Sequence, residues 1–308
     1  MKIGAFLPIS GRAAGPETLS ESASAMEAWG FDSIWAADRL IIPWKIETPY
    51  PYAEGDEFIV PPDRPFLETL TVLSYLSGQT QRVELGVSVL VLPYRHPLYW
   101  GKVVTTIDHL SNGRFILGVG VGWMREEFDA LGADFERRGA VTDEQLKLWR
   151  RLLTDEHVRF DGSFYEVDDV AFEPKSHERR IPLWIGGEGA PARRRAAQVG
   201  DAWFPYHVDI TAQELSRYHA DVKDRAETMG RTRDDVMLCA CRPVQVTEHP
   251  VEQHPGKLAG NPDQLAEAIR EYEGVGVQTL ALQFMVPRYP DRMRQIERFA
   301  IEVLPQFA

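Results

Sequence analysis

The chain reads as a series of short, nearly unbroken apolar runs separated by stretches of amphipathic character. The runs are "KIGAFLP" (2–8), "FDSIWAAD" (31–38), "LGVSVLV" (85–91), "RFILGVGVG" (114–122), "PLWIGG" (182–187), "DAWFPY" (201–206), "VMLCACRPVQV" (236–246) and "VQTLALQF" (277–284). Apolar residues at successive rather than alternate positions mark strands covered on both faces, the signature of a parallel sheet. Between them the apolar positions recur at helical spacing, which predicts helices near 18–29, 66–77, 97–110, 138–153, 191–199, 211–229, 262–274 and 290–304. Local signals agree with these bounds. Gly30 is a natural left-handed C-cap, Pro97 occupies the favoured first helical position, and Asn261-Pro262-Asp263-Gln264 supplies an N-cap with Pro at N1. "VRFDGSFYEVDDVAFEP" breaks the alternation and predicts an inserted hairpin turned at Asp161-Gly162.

About eight strand–helix units in 308 residues is the arithmetic of a TIM barrel, expected as one domain over residues 1–308. A doubly wound open sheet is the competing architecture, and the unit count favours the barrel. In such a barrel the active site lies where strands hand over to loops at the C-terminal face. Reading only those positions gives Pro8, Asp38, Ser88 to Pro93, Gly120 to Trp123, Gly186 to Glu188, Tyr206 and His207. One connection stands out by length. Residues 41–65 are rich in proline and carry Trp44, Tyr50, Tyr52 and Phe58, which suggests a lid that excludes water and shapes a substrate pocket.

Charge and motifs narrow the function. Thirty-four Lys and Arg against 46 Asp and Glu give a net charge of -12, which argues against a nucleic-acid surface. Cys239 and Cys241 are the two cysteines, two apart on a strand, poorly placed for a disulfide or a metal site. No run is long enough to span a bilayer and the start lacks a charged leader, so a cytoplasmic protein is expected. HExxH, Walker-type and metal-spaced His/Asp patterns are absent from the sequence, leaving metal hydrolysis and nucleotide hydrolysis without support.

Four segments in series, "GFDSIWAAD", "LGVSVLVLPYRHP", "TIDHLSNGRFILGVGVGW" and "IPLWIGGEGAPARRRAAQVGDAWF", resemble the bacterial-luciferase-like superfamily. That group contains FMN-dependent monooxygenases and oxidoreductases that use the deazaflavin coenzyme F420. The resemblance runs from about residue 2 to the final helix. It implies a bulge on the third strand with a non-prolyl cis peptide, placed by the motif at Ser88–Val89, on which the cofactor ring packs. Small Gly86 and Ser88 leave room for that distortion, with Val89 and Leu90 beside the ring. The resemblance also implies departures. Many deazaflavin-dependent relatives have Asp-His where this chain has Asp38-Arg39, and some sugar-phosphate-reducing relatives carry a catalytic Glu at the position of Trp123.

The expected catalytic residues are Asp38, Glu126 and His207. For Asp38 an N-cap or an ion pair with Arg39 is the plain alternative, and for Glu126 a solvated helix-start carboxylate. Gly120, Gly122 and Trp123 are expected to approach the cofactor. Gly186, Gly187 and Glu188 leave a strand just before a helix start, where free N–H groups would receive its phosphate. Arg193 to Arg195 would contribute there or form a solvated face. Of the lid aromatics Trp44, with Tyr206, is the expected substrate contact, and His96 is read as structural. These readings predict hydride transfer between reduced F420 and a small organic substrate, without metal, and a homodimer. An FMN-dependent monooxygenase and a non-catalytic flavin-binding protein are the alternatives.

Overall fold

The computed structural model describes residues 1–52, 58, 60–177, 180–206 and 209–307. Its strands are β1 (Lys2–Phe6), β2 (Ser33–Ala36), β3 (Glu84–Val91), β4 (Phe115–Gly120), β5 (Val158–Asp161), β6 (Glu166–Val170), β7 (Leu183–Gly186), β8 (Ala202–Phe204), β9 (Met237–Val246), β10 (Leu258–Gly260) and β11 (Val277–Phe284). The helices are α1 (Pro16–Ala28), α2 (Thr69–Ser77), α3 (Pro97–Leu110), α4 (Arg125–Leu131), α5 (Arg138–Thr154), α6 (Ala190–Val199), α7 (Ala212–Thr228), α8 (Pro262–Gly274) and α9 (Tyr289–Glu302). Strands β1, β2, β3, β4, β7, β8, β9 and β11 pair in parallel and close on themselves, giving an eight-stranded (β/α)8 TIM barrel. β10 adds to β9 outside the ring, and β5 and β6 form the inserted antiparallel hairpin.

Residues alternate between two cores. One face of the strands meets the helices. The other fills the barrel with Phe6, Trp35, Ile116, Trp184, Phe204, Cys239 and Cys241, and both cysteines are free and buried. Trp35 stacks on Trp184 and Phe204 with ring centres 5.1 and 4.9 Å away, and its Nε1 donates to Ser33 Oγ at 2.9 Å. A Cβ on Gly86 would lie 2.3 Å from the Trp35 ring, so this glycine makes room for the indole and not for a cofactor. That corrects the expectation drawn for Gly86.

The β3–β4 ladder is irregular where the sequence turns polar. Val87 pairs with Leu117 and Leu90 with Val119, so three steps on β3 match two on β4, a bulge. The Ser88–Val89 peptide within it is cis. The predicted caps hold too. Gly30 has φ +90° after α1, and Asn261 Oδ1 accepts from Gln264 N at 3.0 Å. The hairpin is clamped to α5 by Glu144, whose carboxylate accepts from the N–H groups of Ser163, Phe164 and Tyr165 at 2.7–2.8 Å. Two elements were not expected, α4 and the three-residue β10. Among the described residues no helix is long and apolar enough to cross a membrane.

Candidate active site

A cavity of about 850 Å³ opens at the C-terminal ends of the barrel strands, within the range of cofactor and ligand sites. Ser88, Val89, Gly120, Gly186, Phe204 and Cys241 are among the residues that line it. The cis bulge and the bare glycines depend on each other. A Cβ on Gly120 would come within 2.6 Å of a Val89 methyl, and one on Gly186 within 2.8 Å. Only a pair of residues without side chains lets Val89 sit where it does. Leu90, in contrast, is buried in the outer core and does not reach the cavity.

One lobe of the cavity ends at two helix starts. Gly187 (φ +97°) and Glu188 lead to α6, whose N-cap Gly189 supplies no side-chain cap; Arg138 and Gly139 open α5, also without one. Uncapped first-turn N–H groups and the helix dipole favour an anion there. Arg138 lines this lobe, stacked 3.9 Å over Phe135 and donating to the Phe135 carbonyl at 2.7 Å. Among the described residues it has no carboxylate partner, unlike its neighbours. Arg193 pairs with Asp221, while Arg194 and Arg195 share Asp143. Of that arginine run only Arg195 lines the cavity.

Asp38 lies in the wall, but its carboxylate is held. Arg95 donates to both of its oxygens at 2.7 Å, Val91 N–H donates at 2.9 Å, and Arg95 also reaches Glu68 at 2.9 Å. Its partner is therefore Arg95, 57 residues away, not Arg39. Arg39 has its own partner. It pairs with the fully buried Glu127, which also accepts from Leu40 N at 2.8 Å and from the Tyr94 hydroxyl at 2.9 Å. The Arg39 guanidinium lies 4.9 Å from the centre of the Phe58 ring and 5.2 Å from that of Trp123. With its charge answered by Glu127, Arg39 serves as a flat, rigid part of the wall.

The long loop forms one side of the cavity, but by different aromatics than expected. Tyr50, Tyr52 and Phe58 line it, with Tyr50 5.0 Å from Trp123 and Tyr52 edge-on to Tyr206 at 5.6 Å. Trp44 is 83 % exposed and lies outside the cavity, so its expected substrate contact is not made. Glu126 is also outside. Its carboxylate accepts from Glu47 N at 2.6 Å, Thr48 N at 2.9 Å and Thr48 Oγ1 at 2.8 Å, so it tethers the loop instead of facing a substrate. Burial pushes its pKa up, but these donors outweigh burial and hold it below the ordinary range. The tether is therefore fully present above the ordinary glutamate pKa and is lost as pH falls through the lowered one. Glu126→Ala should speed hydrogen exchange at the Glu47 and Thr48 amides by about tenfold with little change in global stability. Unchanged exchange there would mean the loop is held by other contacts.

The remaining candidates divide as follows. Gly122 and Trp123 line the cavity, as do Gly187, Glu188 and Tyr206, whose hydroxyl donates to Gln283 Oε1 at 2.8 Å. His96 caps α3, accepting from Leu98 N at 3.3 Å, a structural role. His207 lies outside the described residues. Sequence reasoning did not single out Glu127, Arg138, Cys241 or Gln283. Glu127 carried a signal, since a second glutamate beside Glu126 at a helix start invites a test of which one is buried. Among the described residues no group of three His, Cys, Asp or Glu gathers to hold a metal ion.

A strand bulge at a barrel mouth, backed by bare glycines and opening onto two uncapped helix starts, is a recognisable arrangement. The profile of the luciferase-like monooxygenase family matches residues 1–254. The chain belongs to that family. Among curated relatives, an uncharacterized protein of Mycobacterium tuberculosis is 29% identical over 290 residues, covering 92% of this chain and 93% of the relative. An F420-dependent glucose-6-phosphate dehydrogenase of Amycolatopsis mediterranei is 30% identical over 227 residues, covering 72% of this chain and 63% of the relative. Among solved structures, the coenzyme F420-dependent tetrahydromethanopterin reductase of Methanopyrus kandleri aligns with a TM-score of 0.79 at 17% identity, over 100% of this chain and 99% of that one. Luciferase-like proteins are oxidoreductases and monooxygenases that work with F420 or a flavin, and this chain has their fold and family membership.

Proposed function

We propose that this protein is an F420-dependent oxidoreductase that passes a hydride between the deazaflavin and a small organic substrate. The observation that carries the reading is the continuity of the cavity from the Ser88–Val89 bulge to the α5 and α6 starts. A planar ring would rest on the bulge while the phosphate of its tail met Gly187, Arg138 and the first-turn N–H groups. The donor set fits such a group, since Arg138 offers a cation with no carboxylate partner among the described residues. F420-dependent relatives support the deazaflavin over FMN.

When bound in reduced form the cofactor supplies the hydride, and the chain supplies orientation and a dry site. Tyr50, Tyr52, Phe58 and Trp123 exclude water from the side opposite the bulge. Val89, on the bulge, would be the side chain against which the ring rests. The test is a titration of both cofactors, followed by quenching of tryptophan fluorescence, with Trp123 the indole nearest the cavity mouth. The deazaflavin should bind at low-micromolar levels, with FMN about tenfold weaker or more. Tight FMN binding with none for the deazaflavin would overturn the reading. In that case oxygen uptake with reduced FMN would establish the monooxygenase alternative that the family's name carries.

A further inference from the structure

Two carboxyl groups line the cavity among its described residues, Asp38 and Glu188. Arg95 takes both oxygens of Asp38, which leaves neither free to meet a substrate. Glu188 stands differently. It has no ion pair among the described residues, and its Oε1 accepts from Tyr206 N at 2.8 Å. The Tyr52 phenol comes from the long loop, lines the same cavity and lies close to this carboxyl group. The Tyr52 ring meets Tyr206 edge-on at 5.6 Å, so loop and barrel close on each other at this carboxyl group.

We propose that Glu188 is the residue that exchanges a proton with the substrate, and that Tyr52 is a positioning residue beside it. The proposal rests on the hydride-transfer reading above. In the reducing direction a carbonyl carbon of the substrate gains the hydride from the reduced deazaflavin, and a C–H bond forms. The C=O π bond breaks, and its electron pair on oxygen takes the proton from the Glu188 carboxyl group. The substrate is reduced by two electrons and the cofactor oxidised by two. Water then returns a proton to the Glu188 carboxylate.

The surroundings suit a proton donor. Tyr50 and Tyr52 lie near Glu188 from the loop, Tyr206 from just beyond β8 and Cys241 from β9, while the Arg242 guanidinium, bonded to Tyr272, acts on it only through its charge. From α6, Arg193 pairs with Asp221 and reaches Glu188 only at its backbone carbonyl, at 2.8 Å. Burial outweighs the donors and the attraction of Arg242, and it raises the carboxyl pKa above the ordinary glutamate value. A raised pKa keeps the proton on the donor at higher pH, which general-acid catalysis near neutrality requires.

Infrared difference spectroscopy on the cofactor-free protein tests this directly. Wild type should show a protonated-carboxyl band that is missing from Glu188→Gln and that disappears only above the ordinary glutamate range, about pH 4.3. Tyr52→Phe keeps the ring but removes a nearby hydroxyl that favours the charged form, so the midpoint should move upward. Added 2-cyclohexenone, a small carbonyl probe, should show a lowered carbonyl stretch whose shift titrates with that band in wild type and does not titrate in Glu188→Gln. A Glu188 already ionised at about pH 5 overturns the proposal. So does an enone carbonyl that ignores the Glu188 titration. Because no cofactor is present, failure to bind the deazaflavin would sink the hydride-transfer reading and leave these outcomes standing.

Discussion

Asp38→Ala should cost the protein about 3 kcal/mol or more of folding stability, a larger loss than truncating any exposed residue of the cavity rim. The reason lies in what is left behind. Arg95 is nearly buried and loses its two 2.7 Å bonds, and the Val91 N–H loses its acceptor. Breaking a buried pair from one side typically costs about 3–5 kcal/mol, because the stranded charge has no water to turn to. Glu68 still holds Arg95 from its half-exposed side, which places the expectation at the lower end. Removing both charges should recover much of the loss, so Asp38→Leu with Arg95→Met should be more stable than Asp38→Ala. Urea denaturation of the three proteins measures this. If Asp38→Ala were within about 1 kcal/mol of wild type, Asp38 would be free of the pair and open again to a catalytic role.

The fold could be read from sequence because its strands are covered on both sides. Continuous apolar runs such as Phe115–Gly120 and Leu183–Gly186 leave little ambiguity of type, and eight strand–helix units are the count of a closed barrel. The bulge became legible only through the family resemblance, since a serine in a buried strand has many explanations. Helix α4 was hidden for a physical reason. It spans seven residues with three charged ones at its start, and its buried members are Glu127 and Phe128. Such a segment is too short to be helical alone and is held by tertiary contacts, here the Glu127 bonds to Arg39, Leu40 and Tyr94.

Side-chain direction in the loop was equally out of reach. Trp44 and Tyr50 look alike in sequence, but a loop has no period to say which aromatic turns inward. The structure turns Tyr50 toward Trp123 and leaves Trp44 in solvent. The ion pairs of Asp38 and Arg39 failed for another reason. Both partners come from 50 or more residues away, so adjacency in sequence suggested the wrong pair, Asp38 with Arg39. Arg138 shows the same limit from the other side, because a cation lining the cavity beside the α6 start is visible only once α5 is placed against α6.

The Gly187→Val protein should lose cofactor retention by about a hundredfold or more while keeping its fold. Gly187 has φ +97°, a region that a β-branched residue resists, and a Cβ there would already lie 3.1 Å from the Ala192 Cβ. The backbone must shift to accept the side chain, and it carries the first N–H groups of the α6 start away from the phosphate. Charge-assisted hydrogen bonds to an anion are worth about 1.5–3 kcal/mol each, so losing two accounts for the expected factor. Gly187→Ala should fall between the two proteins, since it meets the same φ with less bulk. Arg138→Met tests the other side of the lobe. It removes the one cavity-lining arginine there without a carboxylate partner among the described residues, and should weaken binding by about tenfold. Two controls separate these effects from misfolding: the circular dichroism spectrum should persist, and inorganic phosphate should compete with cofactor in the wild-type protein. Normal cofactor binding by Gly187→Val would move the phosphate away from this loop and leave Arg138 without the role assigned to it.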